Sequence, residues 1–193
     1  MKKNFLALCL ILLTGTSARS AQIGLYNAFW SPADFNADYG PGIKLQADLN
    51  EIYHLEFRTT LFPNMGEDFD TESGKVEVEL QTIPMEFGFL MDFPYVDDPF
   101  IQSYVGGGFG YYLIDLSAKG PAGTIDYESD DEIGFYALVG ARMYVATEIV
   151  LFGDLMYRFV EGKAVTKHED GSKSTIDMNL NGPGVNIGIA LIW

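Results

Sequence analysis

The residues that could support hydrolytic chemistry are few, since the chain has only two histidines, His54 and His168. A general base must lie within hydrogen-bonding reach of a nucleophile, and neither histidine has a serine two positions away in its own segment. We interpret His54 as a lumenal hydrogen-bonding side chain and His168, within KHEDGSKS, as part of a solvated loop. The sequence therefore predicts no catalytic residues and no enzyme activity.

An acidic segment comes nearest to a metal site. Acids stand at positions 1, 3, 5 and 12 of a calcium-type loop, namely Asp68, Asp70, Glu72 and Glu79. The glycine required at position 6 is displaced, because Ser73 stands there. A solvated acidic loop is the preferred interpretation, and weak cation binding here or at Asp126–Glu132 stays open because hard cations favour clustered carboxylates. We predict no metal centre and no cofactor.

Charged residues also recur at alternate positions of segments that are typical of strands. In Tyr53–Phe62, one face is mainly apolar and the other carries His54, Glu56 and Arg58. Over all such segments, the polar face holds four bases and four acids: Lys44, Arg58, Arg142 and Arg158 with Asp48, Glu56, Glu86 and Asp154. A closed, low-dielectric interior tolerates charges only when they are paired. The balanced set therefore predicts a lumenal charge network.

The elements that must position these charges are eight alternating segments. We place them near Gln22–Trp30, Gly40–Leu49, Tyr53–Phe62, Val76–Leu90, Ile101–Asp115, Ile133–Val145, Glu148–Val160 and Gly182–Trp193. Long polar connections alternate with shorter ones, the long ones being Ser31–Tyr39, Pro63–Lys75, Leu116–Glu132 and Glu161–Asn181. Short periplasmic turns and longer outer loops are typical of bacterial outer-membrane barrels. The pattern predicts an all-β fold, an eight-stranded antiparallel up-and-down transmembrane β-barrel.

One strand is less regular than the others. Val76, Val78 and Leu80 alternate in one phase, whereas the apolar residues from Ile83 to Phe89 alternate in the other. A bulge near Gln81–Pro84 would reconcile the two phases, or the first part projects above the membrane.

The interior of an eight-stranded barrel is just wide enough for its inward-facing side chains to fill it. Inward tyrosines at positions 104, 112 and 136 would fill it together with Arg142 and Arg158, and inward glycines at positions 106, 108, 110, 134 and 140 would make room for them. A plugged interior is the favoured interpretation, with a narrow pore as the alternative.

The N-terminal residues predict export. Lys2 and Lys3 precede the apolar run Phe5–Leu13, and Ala18 and Ser20 fit the small positions before a cleavage site. We therefore predict a signal peptide over residues 1–20 and a barrel over 21–193. The only cysteine, Cys9, lies in the signal, so the mature chain would have neither a disulfide nor a thiolate metal site.

The charge balance limits the partners. The chain has a net charge of −15, and removal of Lys2, Lys3 and Arg19 leaves nine bases against 27 acids, or −18. Such a balance argues against nucleic acid and against anionic headgroups as direct partners. Because the predicted lumenal set is neutral, the excess acid belongs to loops and turns.

Two longer segments carry a family resemblance: PFIQSYVGGGFGYYLIDL (Pro99–Leu116) and EIGFYALVGARMYVATEIVLFGDLMYRFVEG (Glu132–Gly162). With them the chain resembles the small bacterial outer-membrane β-barrel domain family of the OmpA/OmpX/OmpW kind. The resemblance implies residence in the outer membrane, contact with its lipid and lipopolysaccharide, and insertion by the barrel assembly machinery. It implies no single activity.

The last segment adds one functional residue. Val185, Ile187, Ile189 and Leu191 alternate up to the aromatic Trp193, as assembly signals do in the family that the chain resembles. Trp193 is therefore predicted to be an assembly signal and an interfacial anchor.

We expect a monomeric integral outer-membrane barrel with a structural, adhesion or surface-recognition role carried by its acidic outer loops. The alternatives are a lipocalin-like soluble binding barrel and an outer-membrane lipid-modifying enzyme.

Overall fold

A computed structural model describes residues 20–71, 74–93, 100–120, 123–129, 131–167 and 173–193. These residues form twelve strands: β1 Ala21–Trp30, β2 Asp38–Asp48, β3 Tyr53–Thr60, β4 Phe62–Thr71, β5 Gly74–Asp92, β6 Ile101–Gly120, β7 Gly123–Ser129, β8 Glu132–Ala146, β9 Ile149–Phe159, β10 Glu161–Lys167, β11 Lys173–Asn179 and β12 Gly182–Ile192. Within the described ranges, no helix is long and apolar enough to cross a membrane.

Eight of these strands close into a ring. The antiparallel neighbours run β1–β2–β3–β5–β6–β8–β9–β12, and β12 returns to β1 with Leu25 opposite Ile189. The ring has no free strand edge, so its backbone hydrogen bonds are satisfied within it, as a bilayer requires. The predicted eight-stranded antiparallel barrel is confirmed.

The remaining four strands extend the ring beyond one end. β4 pairs with the first half of β5, β7 with the end of β6, and β10 with both β11 and β7. Much of the three long segments predicted as loops after residue 60 is therefore strand. Their Gly- and Asp-rich composition resembles that of loops, but hydrogen bonds from neighbouring strands determine their conformation. We call this end, which lies opposite the short turns at 49–52 and 147–148, the outer end.

The irregular strand is explained by its partner. β5 keeps an unbroken register with β6 from Glu77 to Asp92, so the bulge predicted near Gln81–Pro84 is wrong. The register shift lies on β4, between Phe62 and Met65. Because β5 keeps one alternation of inward and outward residues, Leu80 points inward, where it is fully buried. The apolar residues of β5 change from outward to inward positions where the interior of the barrel becomes apolar.

The outward wall of the ring is an apolar belt. Ile133 and Ile187 are each 68% exposed, and Phe135, Leu25 and Leu155 are more than half exposed. Exposed aromatic residues flank the belt, with Tyr39, Tyr157 and Phe159 towards the outer end and Tyr53, Phe100 and Trp193 at the other. An apolar band between aromatic girdles is the surface that a transmembrane barrel presents to lipid.

The inward wall contains two apolar clusters besides its charges. The larger one, towards the outer end, includes Trp30, Phe62, Met65, Leu80, Tyr112, Ile114, Leu116, Val160, Met178 and Leu180. The smaller one comprises Leu90, Tyr104, Tyr136, Leu138 and Met156. The charged residues therefore lie among apolar side chains and on the side of the larger cluster that faces away from the outer end.

Candidate functional site in the barrel interior

The first group of interior charges lies beneath the larger apolar cluster. Arg158 on β9 reaches across the lumen to Glu86 on β5, with Nε 2.8 Å from Oε1 and Nη2 3.2 Å from Oε2. The Tyr112 hydroxyl also donates to Glu86 Oε1 at 3.0 Å. The Arg158 guanidinium lies 4.8 Å from the centroid of the Trp30 ring. This bidentate, fully buried pair brings the two charges together beside the apolar cluster, and Arg158 Nη1 is left without a hydrogen-bond partner.

The second group is centred on Arg58 of β3. Its Nε donates to Glu56 Oε1 at 2.8 Å, and its Nη1 lies 3.2 Å from Asp154 Oδ1. Lys44 Nζ lies 3.4 Å from the other Glu56 oxygen. Asn186 donates to Asp154, so both carboxylates of this group have more than one partner. Two bases thus face two acids in a region that water does not reach.

The third group occupies the periplasmic end. Arg142 Nη2 lies 3.0 Å from Asp92 Oδ1, and His54 Nε2 lies 2.9 Å from Asp92 Oδ2. The other ring nitrogen of His54 lies 2.6 Å from Asp48 Oδ1, and Asp48 also contacts Ser20. Nδ1 has hydrogen-bond geometry towards Asp48, whereas Nε2 lies close to Asp92 without it. The imidazole ring therefore lies between two carboxylates, with one of its nitrogens close to each.

The structure brings all eight predicted lumenal charges into these three groups. Seven are no more than 3% exposed, and the Asp48 side chain, at the periplasmic rim, is 17% exposed. The sequence reasoning missed Asp92 because it assigned residues 91–100 to a turn. The alternation of β5 could have identified it, since Asp92 has the same parity as the inward Glu86 and Leu90. With Asp92 included, the interior holds five carboxylates against four permanent bases and the imidazole of His54.

Tyrosines and glycines complete the filling of the lumen. A Cβ built on Gly110 would lie 2.7 Å from the Tyr112 ring, and one built on Gly140 would lie 2.5 Å from the Tyr104 ring. The inward glycines therefore provide the space that these rings occupy. Since Arg58, Arg158, Tyr104 and Tyr112 are each less than 2% exposed, the structure favours the plugged interior over a pore.

The interior does not form a hydrolytic centre around His54. Each of its ring nitrogens lies next to a carboxylate, and Ser20 contacts Asp48 rather than the histidine. Its side chain also points into the barrel, whereas lipid lies outside. His168 lies outside the described residues.

The calcium-like segment is extended over its described part. Asp68 and Asp70 lie on β4 opposite Glu77 and Lys75, and Glu72 lies outside the described residues. Over the described residues, the paired strands β4 and β5 replace the predicted loop, and their extended backbone differs from a loop that wraps around an ion. Among the residues that the structure covers, no group of three potential metal ligands occurs.

Trp193 lies at the periplasmic rim with 66% of its surface exposed. Its backbone N–H donates to Ala21 O at 3.0 Å, and Ala21 N donates to Trp193 O at 3.1 Å. The residue therefore continues the β1–β12 pairing while its ring joins the girdle.

No protein-family model and no curated protein matches the sequence. Solved structures do match. The outer membrane protein OprG from Pseudomonas aeruginosa has a TM-score of 0.75 at 14% identity, over 92% of this chain and 97% of that one. Neisserial surface protein A has a TM-score of 0.58 at 14% identity, over 89% and 95% of the two chains. Ail of Yersinia pestis, solved with a heparin analogue, has a TM-score of 0.55 at 11% identity, over 90% and 98%.

The fold is therefore that of the small bacterial outer-membrane β-barrels, which confirms the predicted resemblance. OprG is an outer-membrane protein by name, in agreement with the predicted location. At these identities the likeness concerns the fold alone.

Proposed function

We propose that the protein is an integral outer-membrane barrel, closed to passage through its interior, that acts through its acidic outer face. That face would serve adhesion or surface recognition, and the closed ring would reinforce the envelope. The observation that carries the proposal is the combination of a filled lumen, in which charges are paired, with strands that continue past the aromatic girdle.

The filled lumen supports a role other than transport. Three groups of paired charges and two apolar clusters occupy the cross-section, and the central side chains are buried. Opening a route would separate buried ion pairs, and removal of one partner from such a pair typically costs about 3–5 kcal/mol.

The outer face is strongly acidic. Residues 31–39, 61–80, 113–132 and 161–182 contain 18 of the 27 acids and only five bases, a net charge of −13. A cleft of about 620 Å³ at this end is bordered by Asp34, Glu132, Glu161 and Asp177. Such a field attracts basic partners and repels polyanions. Ail was solved with a heparin analogue, and the charge of this chain favours the opposite class of partner.

The two alternatives fit the surface less well. A soluble binding barrel would cover its apolar residues, whereas Ile133 and Ile187 are each 68% exposed here. A lipid-modifying enzyme needs a base directed at the lipid, whereas His54 is 3% exposed and directed into the lumen. We infer a non-enzymatic protein.

The maturation of the protein is part of the proposal. Residues 1–20 would be removed as a signal peptide, and residues 21–193 would be inserted by the barrel assembly machinery with Trp193 as the signal. We propose a monomer in contact with outer-membrane lipid and with lipopolysaccharide, whose phosphates divalent cations would bridge to the acidic loops.

A binding assay on whole cells tests the proposed role. Cells that produce the wild type should bind beads coated with a basic protein, and the triple variant Glu132→Gln, Glu161→Gln, Asp177→Asn should bind fewer. The control is Glu148→Gln, an exposed acid within the periplasmic turn at 147–148, which should leave binding unchanged. Equal binding by all three strains, or steady conductance of the purified barrel in a planar bilayer, would overturn the proposal.

A further inference from the structure

The apolar belt has one concave region. On the wall formed by β6, β8, β9 and β12, a groove of about 390 Å³ opens outward between Ile101, Met143, Leu151 and Ile187, with Ala141 and Gly153 between them. The inward-facing Arg142, Phe152 and Gly188 also border it. We call this feature the wall groove.

The strand register explains why the groove is there. Ile187 lies opposite Gly153 on the neighbouring strand, and Gly153 lies opposite Ala141 on the next. Two adjacent outward positions therefore carry almost no side chain. Below them, Met143 pairs with both Leu151 and Ile101, so a row of large side chains forms the lower edge. Small residues next to large ones leave a depression in an otherwise convex wall.

The groove lies in the periplasmic half of the belt. Met143 is three residues before Ala146, where β8 ends, and Leu151 is two residues after Ile149, where β9 begins. Both strand ends adjoin the short turn at 147–148. In an outer membrane, this depth corresponds to the acyl chains of the inner leaflet, which consists of phospholipid.

We propose that the wall groove binds one acyl chain of a phospholipid of the periplasmic leaflet and holds it longer than the rest of the belt does. The proposal rests on the membrane location proposed above. The large residues at its edge, Ile101, Met143, Leu151 and Ile187, are themselves exposed residues of the lipid-facing belt, and its outward-facing lining residues are all apolar. An acyl chain buries apolar surface within a concavity and requires no hydrogen bond in return. A second copy of the barrel would approach with the convex surface of its belt, which fits a narrow depression less well.

The groove can be filled without disturbing the fold. A Cβ built on Gly153 would have Asn186 O, at 3.7 Å, as its nearest contact, so a side chain can project outward there. Gly153→Leu would occupy the groove. Ala137→Leu is the matched control, because Ala137 is an exposed outward residue of β8 that does not line the groove.

The probe is a phosphatidylcholine with a photoreactive diazirine in one acyl chain. The protein is produced from its full sequence, extracted from the membrane and reconstituted in dioleoylphosphatidylcholine vesicles that contain the probe. After illumination, the labelled peptides are quantified by mass spectrometry. We expect label on β8 and β9 around Ala141 and Gly153 at several-fold the belt average. Gly153→Leu should reduce it to that average, and Ala137→Leu should leave it high.

The other outcomes differ in meaning. Even labelling around the belt, or labelling that Gly153→Leu leaves unchanged, overturns the wall groove as a lipid site while the barrel remains in the membrane. Barrel-to-barrel crosslinks through β8 and β9 overturn it in favour of a second copy. Absence of label from the whole belt contradicts the proposed membrane location itself.

Discussion

Arg158 and Glu86 are 72 residues apart in sequence and meet inside the barrel, with Arg158 Nε 2.8 Å from Glu86 Oε1. Both side chains are fully buried, and they lie on strands that are not neighbours in the ring. The pair therefore links opposite walls of the barrel below the larger apolar cluster.

We expect Arg158→Leu to lower the stability of the barrel more than Asp177→Asn does. It would leave the Glu86 carboxylate buried and unpaired, which typically costs about 3–5 kcal/mol. The control is Asp177→Asn, whose side chain is 83% exposed. Urea unfolding in detergent micelles gives both values. A loss of stability no larger than that of the control would contradict a paired lumen, and the double variant Arg158→Leu, Glu86→Leu should recover part of the loss.

Asp92→Asn should destabilise the barrel more than Asp48→Asn does. Asp92 contacts both Arg142 and His54 and is 2% exposed, whereas the Asp48 side chain is 17% exposed. Neutralising Asp92 would leave a buried guanidinium without its partner, again at about 3–5 kcal/mol. The same unfolding assay gives the stability of both variants. A larger loss of stability in Asp48→Asn would contradict the role of Asp92 as the common partner of Arg142 and His54.

Gly140→Ala should lower stability, because its Cβ would lie 2.5 Å from the Tyr104 ring. Overpacking of this kind costs about 1–3 kcal/mol. Gly153→Ala is the control, since its Cβ has only a 3.7 Å contact. If thermal unfolding gives the same midpoint for both variants, the tyrosines do not depend on the inward glycines for space.

The folded protein should migrate differently on detergent gels before and after boiling. The closed ring retains its backbone hydrogen bonds within itself, so detergent alone does not unfold it. Extraction of the unboiled protein should require detergent. Identical migration in both states, together with release by salt alone, would favour a soluble barrel.

Deletion of Trp193 should reduce assembly in cells more than refolding in detergent. The exposed ring of Trp193 is available to a recognition partner, while its backbone makes only the last hydrogen bonds of the β1–β12 pair. The measurement compares the fraction that reaches the outer membrane with the refolding yield. Equal losses in both assays would indicate that Trp193 serves only as an interfacial anchor. Normal insertion of the truncated chain in cells would contradict an assembly role.

The faces of the strands could be predicted from sequence because a period of two is a local property. The inward positions of Arg58 and Glu56 follow from it directly. The pairing of Arg158 with Glu86 could not be assigned in this way, because it depends on the ring geometry and on the side-chain lengths of two distant strands. The extensions β4, β7, β10 and β11 were missed for a related reason. Their conformation depends on neighbouring strands, and their composition alone resembles that of loops.

The pairing of β1 with β12 imposes an order on folding. Gln22 lies opposite Ile192, so the ring is sealed by contacts between residues 170 positions apart. Contacts of such separation carry a large loop-closure entropy and slow the folding of the chain. Until β12 arrives, β1 presents an unpaired edge, the kind of edge that promotes aggregation. A newly exported chain would therefore require protection in the periplasm until its last strand reaches its first.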